Sequence, residues 1–254
     1  MQLPVNAFKH AIEAGKLQIG FWSILSSHVT VEILAGAGFD WLVLDTEHAP
    51  NELPMVYAQL QACKGGTAQP VVRVPWLEAG VLMRVLDAGA LGVICPMVNT
   101  REEAQRFVAW TTYAPRGTRS YGPLRAKLVH GDDYATAADA AIVRFAMIET
   151  AQALDHLDAI LSVEGLDAIY IGPSDLSLAL GCRPAFDSVE PKVAEAIAHI
   201  LARAQAHNVV AGIHNGSAAG ARARAAMGFR FVTATADAQM LAAGAQAVLA
   251  AMRA

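Results

Sequence analysis

The sequence predicts a closed barrel of eight parallel β/α units, with an open, doubly wound α/β sheet as the alternative. Hydrophobic residues make up 54% of the 254 residues and charged residues only 17%, which is enough for a large buried core. Eight strand-length apolar runs are mostly continuous rather than alternating, as expected of parallel strands that helices cover. Helical patterns lie between nearly all of these runs. Eight β/α units in roughly 250 residues is the usual size of a (β/α)8 barrel.

A recurring unit places the elements in order along the chain. An apolar-periodic helix ends at small residues and glycine, and a strand follows at once, as in "ILAGAGFDWLVLD" and "RAAMGFRFVTATA". Glycine tolerates the left-handed conformation that often ends a helix, so four glycines are predicted at helix ends: Gly38, Gly89, Gly165 and Gly228. The predicted strands are 18–25, 41–47, 70–75, 92–98, 144–150, 167–173, 209–214 and 229–235.

No linker divides the chain, so residues 1–254 are predicted to form a single domain. The Ala-rich tail at 236–254 is predicted to be its last helix. Residues 113–141 interrupt the regular alternation and are too long for an ordinary connection. We interpret them as one irregular and functional loop.

The bulk composition excludes several classes of partner. The formal net charge is -4, and the 19 Lys and Arg residues are scattered, which argues against nucleic acid or an anionic membrane surface. The apolar runs are far shorter than the roughly 20 residues of a membrane span, and the N-terminal stretch is not of the signal-peptide type. Three cysteines without metal-type spacing are typical of reduced thiols. A cytoplasmic protein without a nucleic-acid or membrane partner is therefore predicted.

Polar side chains collect where the predicted strands end, and the strand starts are mostly small or apolar. The clearest case is "LVLDTEHAPN", in which a buried strand runs directly into two carboxylates and an imidazole. Because the carboxyl ends of barrel strands build the active site in this architecture, the asymmetry predicts an enzyme. The polar residues at these ends are Asp45, Glu47, His48, Arg73, Glu149, Asp175, His214, Asn215 and Asp237.

Glu149 and Asp175 follow adjacent strands and would form an oxygen-rich site of the kind that suits Mg²⁺ or Mn²⁺. The structural alternatives are a carboxylate at a helix N-terminus for Glu149 and a turn or N-cap residue for Asp175. The "GPS" run before Asp175 offers backbone N–H groups that could hold a substrate carboxylate.

Three further residues each allow a functional and a structural interpretation. Arg73 is either a binder of an oxyanion or carboxylate or the partner of Glu47 in a structural ion pair. His48 is either an acid–base group or a packed histidine. As an acid–base group it needs a carboxylate to set its tautomer, and Asp87 is the candidate, unless it is a surface residue at a helix end. His214 and Asn215 are predicted to be loop residues near the mouth of the site.

Seven motifs, in order along most of the chain, resemble the HpcH/HpaI aldolase family. They are "GFW" with "LSS", "AGAGFDWLVLDTEHAPN", "QPVVRVPW", "PMV", "PRGTRSYG", "IET" and "IGPSDLS". The resemblance is greatest to metal-dependent pyruvate aldolases that cleave 4-hydroxy-2-oxo acids, including 4-hydroxy-2-oxoheptanedioate and 2-keto-3-deoxy sugar acids. It implies a (β/α)8 (TIM) barrel of the phosphoenolpyruvate/pyruvate type. It also implies a class II carbon–carbon lyase that acts on a 2-oxo acid and an aldehyde.

The resemblance also implies a metal-bound enolate with Mg²⁺, Mn²⁺ or Co²⁺, no organic cofactor, and a hexamer built as a trimer of dimers with exchanged C-terminal helices. In the matching positions, Glu149 and Asp175 are implied metal ligands. The catalytic set is His48 as acid–base group, Asp87 as its supporting carboxylate, Glu47 linked to a metal-bound water, and Arg73 on the 2-oxo group. The implied substrate-binding set is Trp22, Arg73, Gly172, Pro173, Ser174 and Asp175.

Several residues depart from the pattern of that family. Met147 stands where many members have Gln, Thr46 replaces a usual Gly, and His214 with Asn215 fills a loop that is usually aliphatic. The departures leave the pyruvate half of the pattern intact and concern the aldehyde half. Two alternative functions remain at this stage: a CoA-ester lyase of the citrate-lyase type, and a non-catalytic barrel that serves as a binding module.

Overall fold

Eight parallel strands close into a barrel in chain order, and the first strand pairs with both the second and the eighth. The computed structural model describes residues 5–254, so the first four residues of the predicted domain and of the N-terminal stretch lie outside it. The predicted (β/α)8 barrel is confirmed and the open sheet is wrong. Every strand lies within three residues of its predicted bounds: β1 Gln18–Ser23, β2 Trp41–Asp45, β3 Gln69–Arg73, β4 Gly92–Cys95, β5 Val143–Ile148, β6 Ala168–Ile171, β7 Val210–His214 and β8 Phe231–Ala236.

Helices surround the barrel, and several of them have the N-terminal capping residues or C-terminal glycines that helix ends favour. Thr100 and Glu103 form a reciprocal capping box at one helix start, and the four predicted helix-ending glycines have φ between +88° and +116°. The helices are α1 Ala7–Glu13, α2 His28–Ala35, α3 Leu53–Ala62, α4 Ala79–Asp87, α5 Arg101–Thr111, α6 Leu124–His130, α7 Tyr134–Ala141, α8 Ala151–Asp155, α9 Leu157–Leu161, α10 Pro173–Ala179, α11 Pro191–Ala206, α12 Ala218–Met227 and α13 Asp237–Arg253, with a short 3-10 turn at Cys63–Gly65.

Aromatic rings fill the amino end of the barrel interior. Phe8 of α1 lies 5.3 Å from the Trp41 ring and 5.8 Å from the Phe231 ring, measured between centroids. Glycines on the neighbouring strands make the room for these rings: a Cβ at Gly212 would lie 2.0 Å from Phe231. The lower interior is therefore a packed aromatic core, and a pocket opens at the carboxyl end of the barrel.

A second apolar core lies between the strands and the surrounding helices. It includes fully buried side chains of β2, β3, β4 and β6 on the barrel side and of α3, α4 and α11 on the outer side. Strands covered in this way are apolar on both faces, which explains the continuous apolar runs in the sequence. No helix in residues 5–254 is long and apolar enough to cross a bilayer.

Residues 113–141 do not form the single irregular loop that the sequence suggested, because they contain α6 and α7. Arg119, whose side chain is fully buried, donates to Asp87 Oδ1 at 2.7 Å and to the Tyr134 hydroxyl at 3.2 Å. The segment is thereby fixed against the end of α4. It also supplies none of the residues that line the pocket at the carboxyl end of the barrel.

Candidate active site

A pocket of about 360 Å³ opens at the carboxyl end of the barrel. Its walls are residues at or just after the strand ends, because in a parallel barrel these ends all face the same side. Most predicted site residues are among them. The lining comprises Trp22, Ile24, Asp45, His48, Arg73, Met147, Tyr170, Gly172, Pro173, Ser174, Asp175, Phe186, His214, Asn215, Gly216, Thr235, Ala236 and Gln239.

Arg73, at the end of β3, is held by two carboxylates. Its Nε and Nη2 atoms donate to the two oxygens of Asp45 at 2.9 and 2.5 Å, and Nη1 lies 2.7 Å from Glu47 Oε2. Burial opposes charge on both partners, but the hydrogen bonds and the opposite charges outweigh it. The pKa of Asp45 is therefore below its ordinary value and that of Arg73 above. The predicted structural partner Glu47 is present, but Asp45 makes the bidentate contact.

Trp22, at the end of β1, holds the other side of this group. The Arg73 guanidinium carbon lies 4.8 Å from the centre of the indole, and Trp22 Nε1 donates to Asp45 Oδ2 at 3.0 Å. A guanidinium over an indole face is a favourable cation–π arrangement. Arg73 is thus fixed in position by a ring on one side and two carboxylates on the other, while it lines the pocket.

The turn after β2 carries His48 to the pocket edge. Asn51 donates to the Asp45 carbonyl at 2.7 Å, and the Thr46 hydroxyl donates to the Arg73 carbonyl at 2.6 Å. Thr46, which replaces a usual Gly, therefore ties this turn to β3. The His48 side chain is 65% exposed, and its Nε2 lies 3.7 Å from Glu47 Oε1.

Asp87 lies at the end of α4 and does not meet His48 within the described chain. Its Oδ1 accepts a hydrogen bond from the buried Arg119 at 2.7 Å. The carboxylate nearest to the His48 ring is instead that of Glu47. The predicted pairing of His48 with Asp87 is therefore not formed by the residues of this one chain.

Glu149, after β5, is a buried carboxylate without a cationic hydrogen-bond partner. It is 3% exposed, and its Oε1 accepts from the backbone N–H of Met97 at 2.9 Å. Burial is the main reason that the pKa of Glu149 is raised to about 7. The negative charges of Asp175 and Glu47 also raise the pKa, whereas the hydrogen bond from Met97 lowers it. Met97 has a φ of +52°, which is unusual for a residue with a side chain and turns its N–H toward Glu149.

Gly172, at the start of α10, lets the chain pass directly over Glu149. A Cβ at this position would lie 2.2 Å from Glu149 Oε2. A side chain here would displace the Glu149 carboxylate, so glycine leaves Glu149 in its place. Asp175 lies in the first turn of the same helix, and it lines the pocket together with Pro173 and Ser174.

The donor set around Glu149 suits a divalent cation. The site combines the buried Glu149 carboxylate, whose pKa is raised by burial first and by neighbouring negative charge second, with the pocket-lining Asp175. Oxygen ligands of this kind are those that Mg²⁺ and Mn²⁺ prefer. Within residues 5–254 no group of three or more His, Cys, Asp or Glu side chains is arranged to hold a metal. Mg²⁺ is commonly bound by only one or two protein carboxylates, and water and substrate oxygens fill the other coordination positions.

The opposite wall of the pocket contains His214, which the sequence placed near the mouth, and behind it lie Tyr170 and Thr233, which the sequence did not assign to the site. His214 is the last residue of β7 and not a loop residue, and its ring lies 4.6 Å from Phe186 and 4.9 Å from Trp22 between centroids. The buried Tyr170 hydroxyl lies 2.8 Å from Thr233 Oγ1. Thr233 had a detectable signal, since alternate threonines in "FVTATA" indicate one polar face of β8. Tyr170 had none, because it stands in a continuous apolar strand.

Comparisons with known proteins agree along nearly the whole chain. The family model described as HpcH/HpaI aldolase/citrate lyase matches residues 18–244. A hydroxypyruvate/pyruvate aldolase of Rhizorhabdus wittichii is 42% identical over 250 residues, covering 98% of this chain and 100% of the relative. A 5-keto-4-deoxy-D-glucarate aldolase of Shigella dysenteriae is 43% identical over 91% of each chain. The crystal structure of an HpcH/HpaI aldolase/citrate lyase family protein from Burkholderia cenocepacia superposes with a TM-score of 0.92 at 32% identity, covering 98% of this chain and 100% of that one.

Proposed function

Because the chain belongs to the HpcH/HpaI aldolase/citrate lyase family, we propose that it is a metal-dependent aldolase that makes or cleaves 4-hydroxy-2-oxo acids. The resemblance seen in the sequence is confirmed, and the chain is an aldolase, a carbon–carbon lyase. The donor that we propose is pyruvate or hydroxypyruvate, in keeping with the name of one relative. The acceptor is an aldehyde.

One observation carries the proposal: a fixed guanidinium and an acidic cation site lie at the same barrel end. Arg73 is held by Asp45 at 2.5 and 2.9 Å, and Glu149 is buried among negative charges that favour a cation beside it. A 2-oxo acid offers a carboxylate and a ketone oxygen, which together suit a cation and a guanidinium. The two halves of the site therefore match the two oxygen groups of one small molecule.

Glu149 and Asp175 would hold the divalent ion. When bound, the ion supplies Lewis acidity toward the oxygens of the 2-oxo acid. Arg73 places a positive charge next to the oxygen that becomes negative as the donor enolises, which is preorganised electrostatic stabilisation. In the same proposal the backbone at Ser174 and Asp175 holds the donor carboxylate, and Trp22 forms a wall beside it.

His48 is the proposed acid–base group for the 4-hydroxyl of the substrate. It removes that proton in cleavage and returns it in addition. Its exposed ring lies at the pocket edge beside Glu47, which we propose as a supporting carboxylate. A Schiff-base route has no candidate here, since the residues that line the pocket include no lysine.

The proposal is tested by an aldehyde panel with pyruvate or hydroxypyruvate, scored for aldol product with and without added Mg²⁺, Mn²⁺ or Co²⁺. EDTA should abolish product formation, and one of the ions should restore it. Glu149→Ala and Asp175→Ala should fold but fail to bind the ion in a direct titration. Full activity in excess chelator would contradict the metal-dependent route. Cleavage of a CoA ester without aldol activity would favour the lyase alternative, and a lack of both activities would favour a binding module.

The oligomer is part of the same proposal: a hexamer of three dimers with exchanged C-terminal helices. Its support is the exposure of apolar side chains along α13, where Leu241 is 64% and Met252 is 80% exposed. They line a groove with Leu25 and Ile33, and an apolar patch of this kind is typical of an interface. Sedimentation equilibrium measures the mass directly, and a monomer at micromolar concentration would contradict the hexamer. A cytoplasmic location, predicted from the sequence, belongs to this proposal as well.

A further inference from the structure

A chain of three polar groups runs from the barrel interior to the pocket wall. The Tyr170 hydroxyl lies 2.8 Å from Thr233 Oγ1, Thr233 Oγ1 lies 3.0 Å from His214 Nδ1, and the Tyr170 hydroxyl lies 3.4 Å from the same nitrogen. Tyr170 and Thr233 are both 0% exposed. In the described chain these two hydroxyl oxygens and one ring nitrogen have only each other as side-chain partners.

Counting protons assigns the tautomer of His214. The two hydroxyls bring two protons, and both find an acceptor if Tyr170 donates to Thr233 and Thr233 donates to Nδ1. If Nδ1 carried a proton instead, one buried hydroxyl proton would have no acceptor, which is unfavourable. His214 Nδ1 is therefore the acceptor, and the proton of the neutral ring is on Nε2.

The His214 ring stays neutral and faces a pocket wall made of aromatic rings. Burial is the main reason that its pKa is lowered to about 4. The positive charge of Arg73 also lowers the pKa, whereas the negative charges of Asp45 and Asp187 raise it. Phe186 and Trp22 contact the ring edge to face on two sides. Nε2 makes no hydrogen bond within residues 5–254, so its N–H is the donor that this wall offers to a ligand.

Charge is distributed unevenly over the pocket. The charged side chains that line it are Asp45, Arg73 and Asp175, with His48 at the edge. They lie at the ends of β2 and β3 or just after β2 and β6. The carboxylate of Asp187 lies behind the His214 wall, and its oxygens accept from Gly216 N at 3.2 Å and Ser217 Oγ at 2.7 Å. An acceptor that carries its own carboxylate would meet no cation among the residues of this wall and one anion behind it. The positive charge that reaches His214 is that of Arg73, which Asp45 and Glu47 already hold.

We infer that His214 is a specificity-determining residue, whose Nε2–H donates to an uncharged oxygen of the aldehyde. The inference rests on the proposed aldolase function. It assigns the acceptor to the class of short hydroxylated, uncharged aldehydes, in preference to aldehydes that end in a carboxylate. His214 and Arg73 each contact the Trp22 indole, at 4.9 Å between ring centroids and at 4.8 Å from guanidinium carbon to centroid. In this inference the donor and the acceptor are recognised by different side chains.

The test measures kcat/KM with pyruvate and the best activating ion for glycolaldehyde, propionaldehyde and succinic semialdehyde. The parent enzyme should prefer glycolaldehyde to succinic semialdehyde. His214→Leu should lower kcat/KM for glycolaldehyde by about threefold to tenfold, the usual effect of one neutral hydrogen bond. It should leave propionaldehyde, which has no hydroxyl, nearly unaffected. Equal losses for both aldehydes, or a parent preference for succinic semialdehyde, would overturn the inference.

Two threonine substitutions test the positioning role of Thr233. Thr233→Val removes the hydroxyl on His214 Nδ1 and should reproduce part of the His214→Leu defect. Thr136→Val on α7, which lies outside the pocket lining, should not. Nitrogen-15 NMR of the imidazole reports the tautomer even where a variant folds poorly: Nε2 of the parent should be the protonated nitrogen. A proton on Nδ1 would overturn the assignment.

Failure of the proposed function gives a different result. In that case no aldehyde yields product, and deuterium does not enter the pyruvate methyl group in the presence of any ion. Deuterium exchange at the pyruvate methyl group without a preference for hydroxylated aldehydes would contradict only the role of His214 and not the proposed function.

Discussion

The two ends of the barrel interior differ in what fills them. At the amino end the rings of Phe8, Trp41 and Phe231 pack without a charged group among them. At the carboxyl end Arg73 is surrounded by carboxylates, and burial raises the pKa of Glu149 to about 7. One end stabilises the fold by close packing. The other concentrates like charges at some expense of stability, as active sites often do.

This comparison makes a general prediction. Substitutions at the carboxyl end should change turnover more than the free energy of unfolding, and substitutions at the amino end should do the reverse. Three substitutions test it, and their expected effects decrease from Arg73 to His48 to Gly212.

Arg73→Lys should have the largest effect, because it affects every step that develops negative charge on the donor. Lysine keeps the charge but lacks the planar fork that fits Asp45. We expect turnover to fall by roughly 100-fold or more, and deuterium exchange at the pyruvate methyl group should fall with it. The exposed Arg222→Lys on α12 is the matched control. Unchanged methyl exchange in the Arg73 variant would mean that Arg73 is structural.

His48→Ala should affect only one half of the reaction. Loss of the acid–base group should lower carbon–carbon cleavage by about 100-fold or more. Methyl exchange, which does not involve the 4-hydroxyl, should survive better. Both rates are measured on the same preparation with the same ion, and the exposed His199→Ala on α11 is the control. If both rates fall by the same large factor, His48 acts on the enolate step and the division of roles is wrong.

Gly212→Ala should show the opposite behaviour at the amino end. The new methyl group would lie 2.0 Å from a ring carbon of Phe231, and that ring is itself enclosed by Phe145 at 5.3 Å and Phe8 at 5.8 Å. Overpacking of this kind should lower the free energy of unfolding by about 1–3 kcal/mol. Urea unfolding measures it.

Gly80→Ala on α4, where a Cβ meets nothing within 4 Å, is the control for this substitution. The turnover of the folded Gly212→Ala fraction should stay near that of the parent. Loss of turnover without loss of stability would contradict the separation of the two ends.

The fold could be predicted from the sequence because its signals are local and repeated. Strands buried on both faces give continuous apolar runs, and each β/α unit repeats the same glycine-to-strand transition. The segment 113–141 was misjudged because its two helices have only 7 and 8 residues. Such short helices are stabilised by tertiary packing more than by propensity. The buried Arg119, which fixes the segment to Asp87, has no local signature in the sequence.

The candidate site was predictable in its composition but not in its pairings. Residues after strand ends meet in any parallel barrel, and Glu47, Arg73 and Asp175 are indeed placed together. Which carboxylate holds Arg73 depends on register: Asp45 pairs directly with Arg73 across β2 and β3. The position of Asp87 depends on a partner 32 residues away. Neither fact can be read from spacing along the chain.

The restraint of Arg73 by Asp45, Glu47 and Trp22 has an entropic consequence. A free arginine side chain carries about 2 kcal/mol of rotamer entropy, which is lost when it is fixed in one geometry. Here that loss belongs to folding, because the contacts that hold the guanidinium come from the chain itself. A small substrate with few contacts can therefore use its whole interaction with Arg73 for binding. The ordering of the side chain is complete before the substrate arrives.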